Sequence, residues 1–161
     1  MIRPLHSNDV RALLEIYNYY VKHSVVTFDD KPLSLKIFEE KINHVLAEYP
    51  VLVFEDNNEI LGYAYGSKFR PKPAYKNTVE TTVYVKHNAH RKQIGSKLYA
   101  ELLQLLKQQK FHVALGVLTL PNHASIKLHQ RFNFTQVAHF NEVGYKFGKW
   151  LDVGVFQLKL I

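Results

Sequence analysis

The stretch Thr78-Val79-Glu80-Thr81-Thr82-Val83-Tyr84-Val85, continued by Lys86-His87-Asn88-Ala89-His90-Arg91-Lys92 and Gln93-Ile94-Gly95-Ser96, decides the fold. The run from Thr78 to Val85 reads as a strand, because β-branched and aromatic side chains suit a pleated surface. The densest basic run of the chain follows at once. Ile94, Leu98, Leu102, Leu105 and Leu106 then fall on one face of a helix. A second unit of the same kind comes next. Val113 to Leu118 is a nearly continuous apolar strand, as expected of one buried on both faces. Leu120-Pro121-Asn122-His123-Ala124-Ser125 opens a short helix that carries His129, with Asn122 as its cap. Two successive strand–loop–helix units, the first with a phosphate-sized basic loop at a helix N-terminus, imply a nucleotide-tailed cofactor lying across strand ends.

Outward from this core the pattern stays regular. Ile2 to Leu5 reads as a short edge strand, where Pro4 is tolerated. Ser7-Asn8 offers a cap for a helix with Val10, Leu13, Leu14, Tyr17 and Val21 on one face. Val25 to Pro32 is a loop, and Ser34 caps a second helix marked by Leu35, Phe38, Ile42 and Val45. Val51 to Phe54, the turn Asp56-Asn57-Asn58-Glu59, and Ile60 to Tyr65 make a hairpin. Phe69 to Tyr75 is irregular, since Pro71 and Pro73 forbid regular pairing. Phe134 to Phe140 and Leu151 to Leu160 are two further strands, joined by a turn read over Gly144 to Trp150. The order β-α-α-β-β-β-α-β-α-β-β predicts an α/β (mixed α+β) fold: a central mixed sheet of seven strands with helices on both faces.

With 161 residues and no repeat or linker, residues 1–161 are expected to form a single domain. The chain is 47% hydrophobic and 22% charged, which argues against disorder. It has no apolar run long enough to span a bilayer, and Met1 to His6 lacks the apolar core of a secretory signal, so no membrane association is expected. Cysteine is absent, which removes disulfides and a thiolate nucleophile and suits the cytoplasm. The formal charge of +7 reads either as solubility or as attraction to a polyanion. Because the basic residues concentrate between a strand and a helix, a point-like anion site is favoured over an extended nucleic-acid stripe. His87 and His90 are three apart, but the chain has no His-Glu-x-x-His and no Cys ligand, so no functional metal is expected.

Two ionisable residues stand out. Glu80 is an acid in a run of Thr, Val and Tyr, against strand propensity. Alternation places it with Thr82 and Tyr84 on one face, opposite Val79, Thr81, Val83 and Val85. It is either a solvent-facing strand residue or, in a cleft, a proton acceptor whose charged form desolvation opposes. His129 is either a structural histidine or an acid–base group able to titrate near neutral pH.

The joint order of Ile16-Tyr17-Asn18, Thr27-Phe28, Gly62-Tyr63-Ala64-Tyr65, Ala74-Tyr75, Thr78 to Val85, Gly95 to Tyr99, Leu120-Pro121-Asn122 and Gly144 to Gly154 resembles the GNAT superfamily of N-acetyltransferases. Within it, the chain resembles the phosphinothricin (L-amino acid) N-acetyltransferases. The resemblance implies the GNAT fold, acetyl-coenzyme A as co-substrate, direct acetyl transfer to the α-amine of a small amino acid or analogue, and a homodimer. Phosphinothricin, methionine sulfoximine and methionine sulfone are the acceptors it implies. Glu80 matches the position of a proposed base. His129 matches a position beside the leaving sulfur, where thiolate acid, amine base and cofactor contact all stay open. The resemblance further implies that the backbone of Val83, Tyr84 and Val85 pairs with the pantetheine arm, that His90, Arg91, Lys92, Gln93, Ile94, Gly95 and Ser96 hold the pyrophosphate, and that Asn122 and Ser125 face the cofactor. Phe28, Arg70, Lys72, Tyr75, Val117 and Val153 match acceptor-binding positions, Arg70 and Lys72 as carboxylate anchors in exchanged order.

The superfamily's phosphate loop reads Gln/Arg-x-x-Gly-x-Gly/Ala, and here those places hold His90, Gln93 and Gly95. A side chain at Gln93 costs about 1–2 kcal/mol if that residue takes positive φ. Two rival readings remain. One is acetylation of a polyamine, an aminoglycoside or a protein N-terminus, which would want an acidic pocket. The other is a weakly catalytic coenzyme A-binding or nucleic-acid-binding module.

Overall fold

The computed structural model describes residues 1–90 and 92–161. The strands are β1 (Ile2–Pro4), β2 (Val51–Asp56), β3 (Glu59–Lys68), β4 (Thr78–Val85), β5 (Val113–Leu120), β6 (Thr135–Lys146) and β7 (Lys149–Lys159). They form one seven-stranded sheet in the order β1-β2-β3-β4-β5-β7-β6. Every pairing is antiparallel except β4 with β5. Helices α1 (Val10–His23) and α2 (Leu35–Leu46) cover one face, and α3 (Ile94–Gln108) and α4 (His123–Arg131) the other. The mixed sheet and the helices on both faces are as the sequence predicts.

The period of two in the strands feeds two cores. Leu52, Ala64 and Val79 point to α3 and meet Leu98, Leu102 and Leu106, all buried. Val51, Val53, Tyr63 and Tyr65 point the other way, to Leu13, Tyr17, Val21, Phe38 and Ile42. Each fully buried leucine here contributes about 2 kcal/mol of transfer free energy.

Two boundaries differ from expectation. Ser7 to Asp9 is a single 3-10 turn rather than a helix cap, and α1 begins at Val10. The Asp9 carboxylate accepts from Arg3 at 2.7 and 3.0 Å and from the His6 amide at 2.8 Å, so this acid organises the turn. The last two strands are longer than Phe134 to Phe140 and Leu151 to Leu160 suggest. The segment read as a turn from Gly144 to Trp150 is mostly strand, and only Phe147 and Gly148 turn, with φ of 51° and 72°. Two successive positive φ values match the right-handed twist of a tight hairpin. A register shift between Phe140 and Gly144 breaks the alternation that would have revealed the continuation.

What matters for function is where β4 leaves β5. β4 pairs with β3 from Val79 to Val85, and β5 pairs with β7 along its whole length. Between β4 and β5 only Thr78, Val79 and Glu80 find partners, at Val113, Ala114 and Leu115. From Thr81 onward the two central strands diverge, and Glu80 sits at the apex of the gap.

Candidate active site

The divergence opens a cavity of about 910 Å³ that reaches both faces of the sheet, a size suited to a small-molecule site. One wall is the free edge of β4. The Lys86 amide donates to the Leu61 carbonyl at 2.8 Å. In an antiparallel ladder the exchanging pairs recur every second residue, so Tyr84, Thr82 and Glu80 direct their backbone groups to β3. Val83 and Val85 therefore turn theirs into the gap. The Tyr20 hydroxyl already donates to the Val85 carbonyl.

At the far end of the gap stands the N-terminus of α3. Gln93 caps it in the left-handed conformation, φ 56° and ψ 20°, as the replacement of glycine in this loop foreshadows. The first-turn amides of a helix lack internal partners and favour an anion. His90 folds back to Tyr20: the one hydroxyl proton of Tyr20 is spent on Val85, so His90 Nε2–H donates to Tyr20 Oη at 2.8 Å. Burial, aided by His87, holds the His90 imidazole below its ordinary pKa. Arg131 donates to Ser96 Oγ at 3.0 Å, setting a guanidinium beside the loop. Asn122 accepts from the Ser125 amide at 3.1 Å, so it is a helix cap, and both residues also line the cavity.

Glu80 lies on the α1–α2 side. Burial raises its carboxyl above the usual carboxylate range. Ser67 pairs with Glu80 across the β3–β4 ladder, the Glu80 charge acts on the Tyr65 hydroxyl, and Phe28 and Lys41 line the same cavity. The loop bearing Phe28 is fixed by Lys146, which is only 4% exposed and donates to the carbonyls of Ser24 at 2.7 Å and Thr27 at 2.8 Å. The Phe28 ring rests on Gly144, where a Cβ would come within 2.4 Å of it.

His129, 3% exposed, lies on the opposite face. Its Nδ1–H donates to the Ser125 carbonyl at 2.7 Å. Its Nε2 meets Tyr99 Oη at 3.0 Å, Tyr99 Oη meets Thr81 Oγ1 at 2.6 Å, and Thr81 Oγ1 reaches the Leu115 carbonyl at 3.0 Å. In neutral His129 the ring accepts from Tyr99, which accepts from Thr81. In the imidazolium every hydroxyl reverses, and Thr81 donates to Leu115. The same hydroxyls thus serve the ring in either protonation state, with the Thr81–Leu115 hydrogen bond made only in the imidazolium arrangement. Burial lowers the His129 pKa, the bond to Ser125 opposing this in part. Gly116 makes room for the ring, since a Cβ there would lie 2.2 Å from Nε2.

The cavity brings together Glu80, His129, Val83, Tyr84, Val85, His90, Gln93, Ile94, Gly95, Ser96, Asn122, Ser125, Phe28, Val117 and Val153. Lys92, Arg70, Lys72 and Tyr75 do not line it. Arg70 instead lies over the rings of Phe69 and Tyr75, at 4.9 and 5.5 Å, in the segment before β4. Arg91 lies outside the described residues. Sequence reading missed Tyr99, Gly116 and Tyr20. Only Gly116, a glycine inside an apolar strand, left a signal of close approach. No group of three or more His, Asp or Glu side chains is placed to hold a metal ion among the described residues.

The acetyltransferase (GNAT) domain family matches residues 2–155. A phosphinothricin N-acetyltransferase of Streptomyces coelicolor is 40% identical, over 99% of this chain and 95% of its own length. An L-methionine sulfoximine/L-methionine sulfone acetyltransferase of Salmonella typhimurium is 37% identical, over 99% and 94%. The crystal structure of a GNAT superfamily phosphinothricin acetyltransferase from Sinorhizobium meliloti in complex with acetyl-coenzyme A superposes with a TM-score of 0.96. It is 29% identical, over 99% of this chain and 87% of that one.

Proposed function

The chain belongs to the GNAT acetyltransferase family, and from that premise we propose that it transfers an acetyl group from acetyl-coenzyme A to the α-amine of a small amino acid or analogue of the phosphinothricin, methionine sulfoximine or methionine sulfone type. The observation that carries this is the gap between β4 and β5. It has a free amide edge at Val83 and Val85, a helix N-terminus at its far end and a buried acid at its apex.

The bound co-substrate supplies an activated thioester carbonyl. Val83 and Val85 would pair with its amide-bearing arm as an added strand does. The amides from Gln93 to Ser96 and the nearby Arg131 would hold its diphosphate, with Asn122 and Ser125 along the way. Glu80 would take a proton from the acceptor ammonium, directly or through water. Its raised pKa makes it a better base than an exposed carboxylate. His129 and Tyr99 form the proton-bearing wall on the other side, suited to supplying a proton to the departing thiolate. Phe28, Val117 and Val153 would enclose the acceptor. Arg70, Lys72 and Tyr75 stand apart as an outer basic and aromatic group that would draw in a carboxylate.

The same reading takes residues 1–161 as one cytoplasmic domain that acts as a homodimer. Support for the dimer is the edge strand β6 with its turn, where Val137, Phe140, Val143, Tyr145, Phe147 and Trp150 are all exposed. No helix among the described residues is long and apolar enough to cross a membrane.

The test is coenzyme A release measured across a panel of amino acids, the three analogues above, polyamines and an aminoglycoside. Turnover confined to small α-amino acids and their analogues is expected. Preference for polyamines or aminoglycosides, or no turnover at all, overturns the reading.

A further inference from the structure

We propose that Gly144 and Lys146, on the β6–β7 hairpin, are positioning residues: they set how far Phe28 reaches into the cavity and so which length of acceptor fits. This rests on the amino-acid-directed reading above. Phe28 belongs to the loop of residues 24 to 34, which joins α1 to α2 without helix or strand of its own. The loop is held from two sides, and both holds meet at Thr27. From α1, the Tyr17 hydroxyl meets Thr27 Oγ1 at 2.8 Å and donates to the Asp29 carboxylate. From the hairpin, the Lys146 ammonium donates to the carbonyls of Ser24 and Thr27 at 2.7 and 2.8 Å. The same ties set the loop on the face of β4 that carries Glu80. Thr27 acts on the Tyr84 hydroxyl, and Tyr84 and Glu80 alternate onto one face of that strand.

The two hairpin residues do different work. Lys146 is buried, so sliding the loop would leave desolvated N–H groups without acceptors. Burial lowers its pKa, and the attraction of Asp29 and Asp30, both in this loop, opposes that. Gly144 sets the place of the ring itself. A Cβ there would lie 2.4 Å from two atoms of the Phe28 ring. The φ of Gly144 is not positive, so what the missing side chain provides is room for the ring. Leu151 pairs with Gly144 across the hairpin, and Val153, two residues further along β7, lines the cavity. The hairpin therefore borders the cavity next to the ring it carries.

The experiment uses methionine sulfone and S-methylcysteine sulfone, which is one methylene shorter. KM and kcat for both, and calorimetric affinity for acetyl-coenzyme A, are measured in wild type, Gly144→Ala, Phe28→Ala and the double variant. Gly144→Ala should push the ring into the open space of the cavity. It should then lower kcat/KM for methionine sulfone about 10-fold more than for the shorter acceptor, the scale on which a pocket resolves one methylene. The change should lie in KM, with acetyl-coenzyme A affinity within about twofold of wild type. With Phe28→Ala there is no ring to push, so the added effect of Gly144→Ala should vanish. Lys146→Met tests the other hold without adding bulk. It should speed amide hydrogen exchange in residues 24 to 30 and raise acceptor KM, again only while Phe28 is present. Equal losses for both acceptors and for acetyl-coenzyme A, no loss, or losses that persist in full without Phe28 overturn the positioning role while the acetyltransferase reading stands. If wild type neither acetylates nor binds either sulfone, both readings fall together.

Discussion

Gly116 and His129 compete for one volume. A methyl group at position 116 would sit 2.2 Å from His129 Nε2, so the ring must leave or the strand must move. Gly116→Ala is expected to cost about 1–3 kcal/mol, as overpacking does, and to break the bond to Tyr99. A melting curve and kcat report both effects, and His129→Ala in the same chain should restore much of the stability by vacating the space. A melting temperature equal to wild type for the single variant would sink the idea. Glu80 carries the converse logic. Its folded pKa is raised by burial, so the native state holds the proton more tightly than the unfolded chain. Stability therefore falls as pH rises from the unfolded pKa through the raised one. Above that window the charge costs stability but gives the base. Glu80→Gln should lower kcat by about 100-fold, within the usual range for general-base loss, with unchanged affinity for acetyl-coenzyme A and an equal or higher melting temperature at neutral pH. Wild-type activity should fall as pH drops through the raised pKa, and undiminished turnover in the variant would remove Glu80 from the chemistry. Glu80 stood out in sequence because an acid contradicts its strand. Strand propensity still left a solvent-facing residue open, and it was the resemblance that suggested a base; the structure buries it at the cavity. Tyr99 and Thr81 did not stand out, because each looks ordinary where it stands, as a helix-core aromatic or a strand threonine. Their roles come from what tertiary packing sets beside them.

At the scale of elements, the N-terminus of α3 joins a gain to a cost. The helix must start abruptly to present its amides to the gap, and Gln93 provides the corner at φ 56°. A non-glycine residue there is strained by about 1–2 kcal/mol. Glycine would relieve this but would lose about 0.4–1 kcal/mol to the entropy of the unfolded chain. Gln93→Gly should then stabilise the protein by about 0.5–1 kcal/mol net. It should also tighten coenzyme A binding modestly, if strain near the loop disfavours the receptive shape. Denaturant titration and calorimetry check the two effects, and a destabilised variant would mean that the Gln93 side chain makes contacts outweighing its strain. Elements with strong periodicity, the β4 strand and the first and third helices above all, were readable within a residue or two. The β6–β7 hairpin was not, because the irregularity between Phe140 and Gly144 interrupts the alternation while the strands run on to Lys146 and from Lys149. The carboxylate-anchor expectation for Arg70 and Lys72 had a similar weakness. Two prolines order their segment, but spacing does not tell which way a loop faces, and these residues stand outside the cavity lining.

For the whole molecule, the sheet behaves as two ribbons, β1 to β4 and β5 to β7, joined by a parallel seam of three residue pairs. The outer ribbon ends in β6, whose hydrogen-bonding edge is unpaired among the described residues. Such an edge invites association unless it is blunted by charge or covered. Here the hairpin carries large exposed side chains instead, with Trp150 65% and Tyr145 61% exposed. The same hairpin supplies Lys146, which fixes the loop that brings Phe28 to the cavity. A partner seated on this hairpin would thus stiffen one wall of the site, and association and acceptor affinity should change together. Trp150→Glu places a charge on the patch without touching the cavity. Sedimentation should show wild type with the mass of two chains at micromolar concentration and the variant shifted toward one. On the proposed reading, in which Phe28 encloses the acceptor while β4 and α3 hold the cofactor, KM for the acceptor should rise more than KM for acetyl-coenzyme A. A wild type that remains a single chain throughout the concentration range would end the dimer reading. A dissociated variant with unaltered acceptor KM would show that assembly and the Phe28 loop are independent.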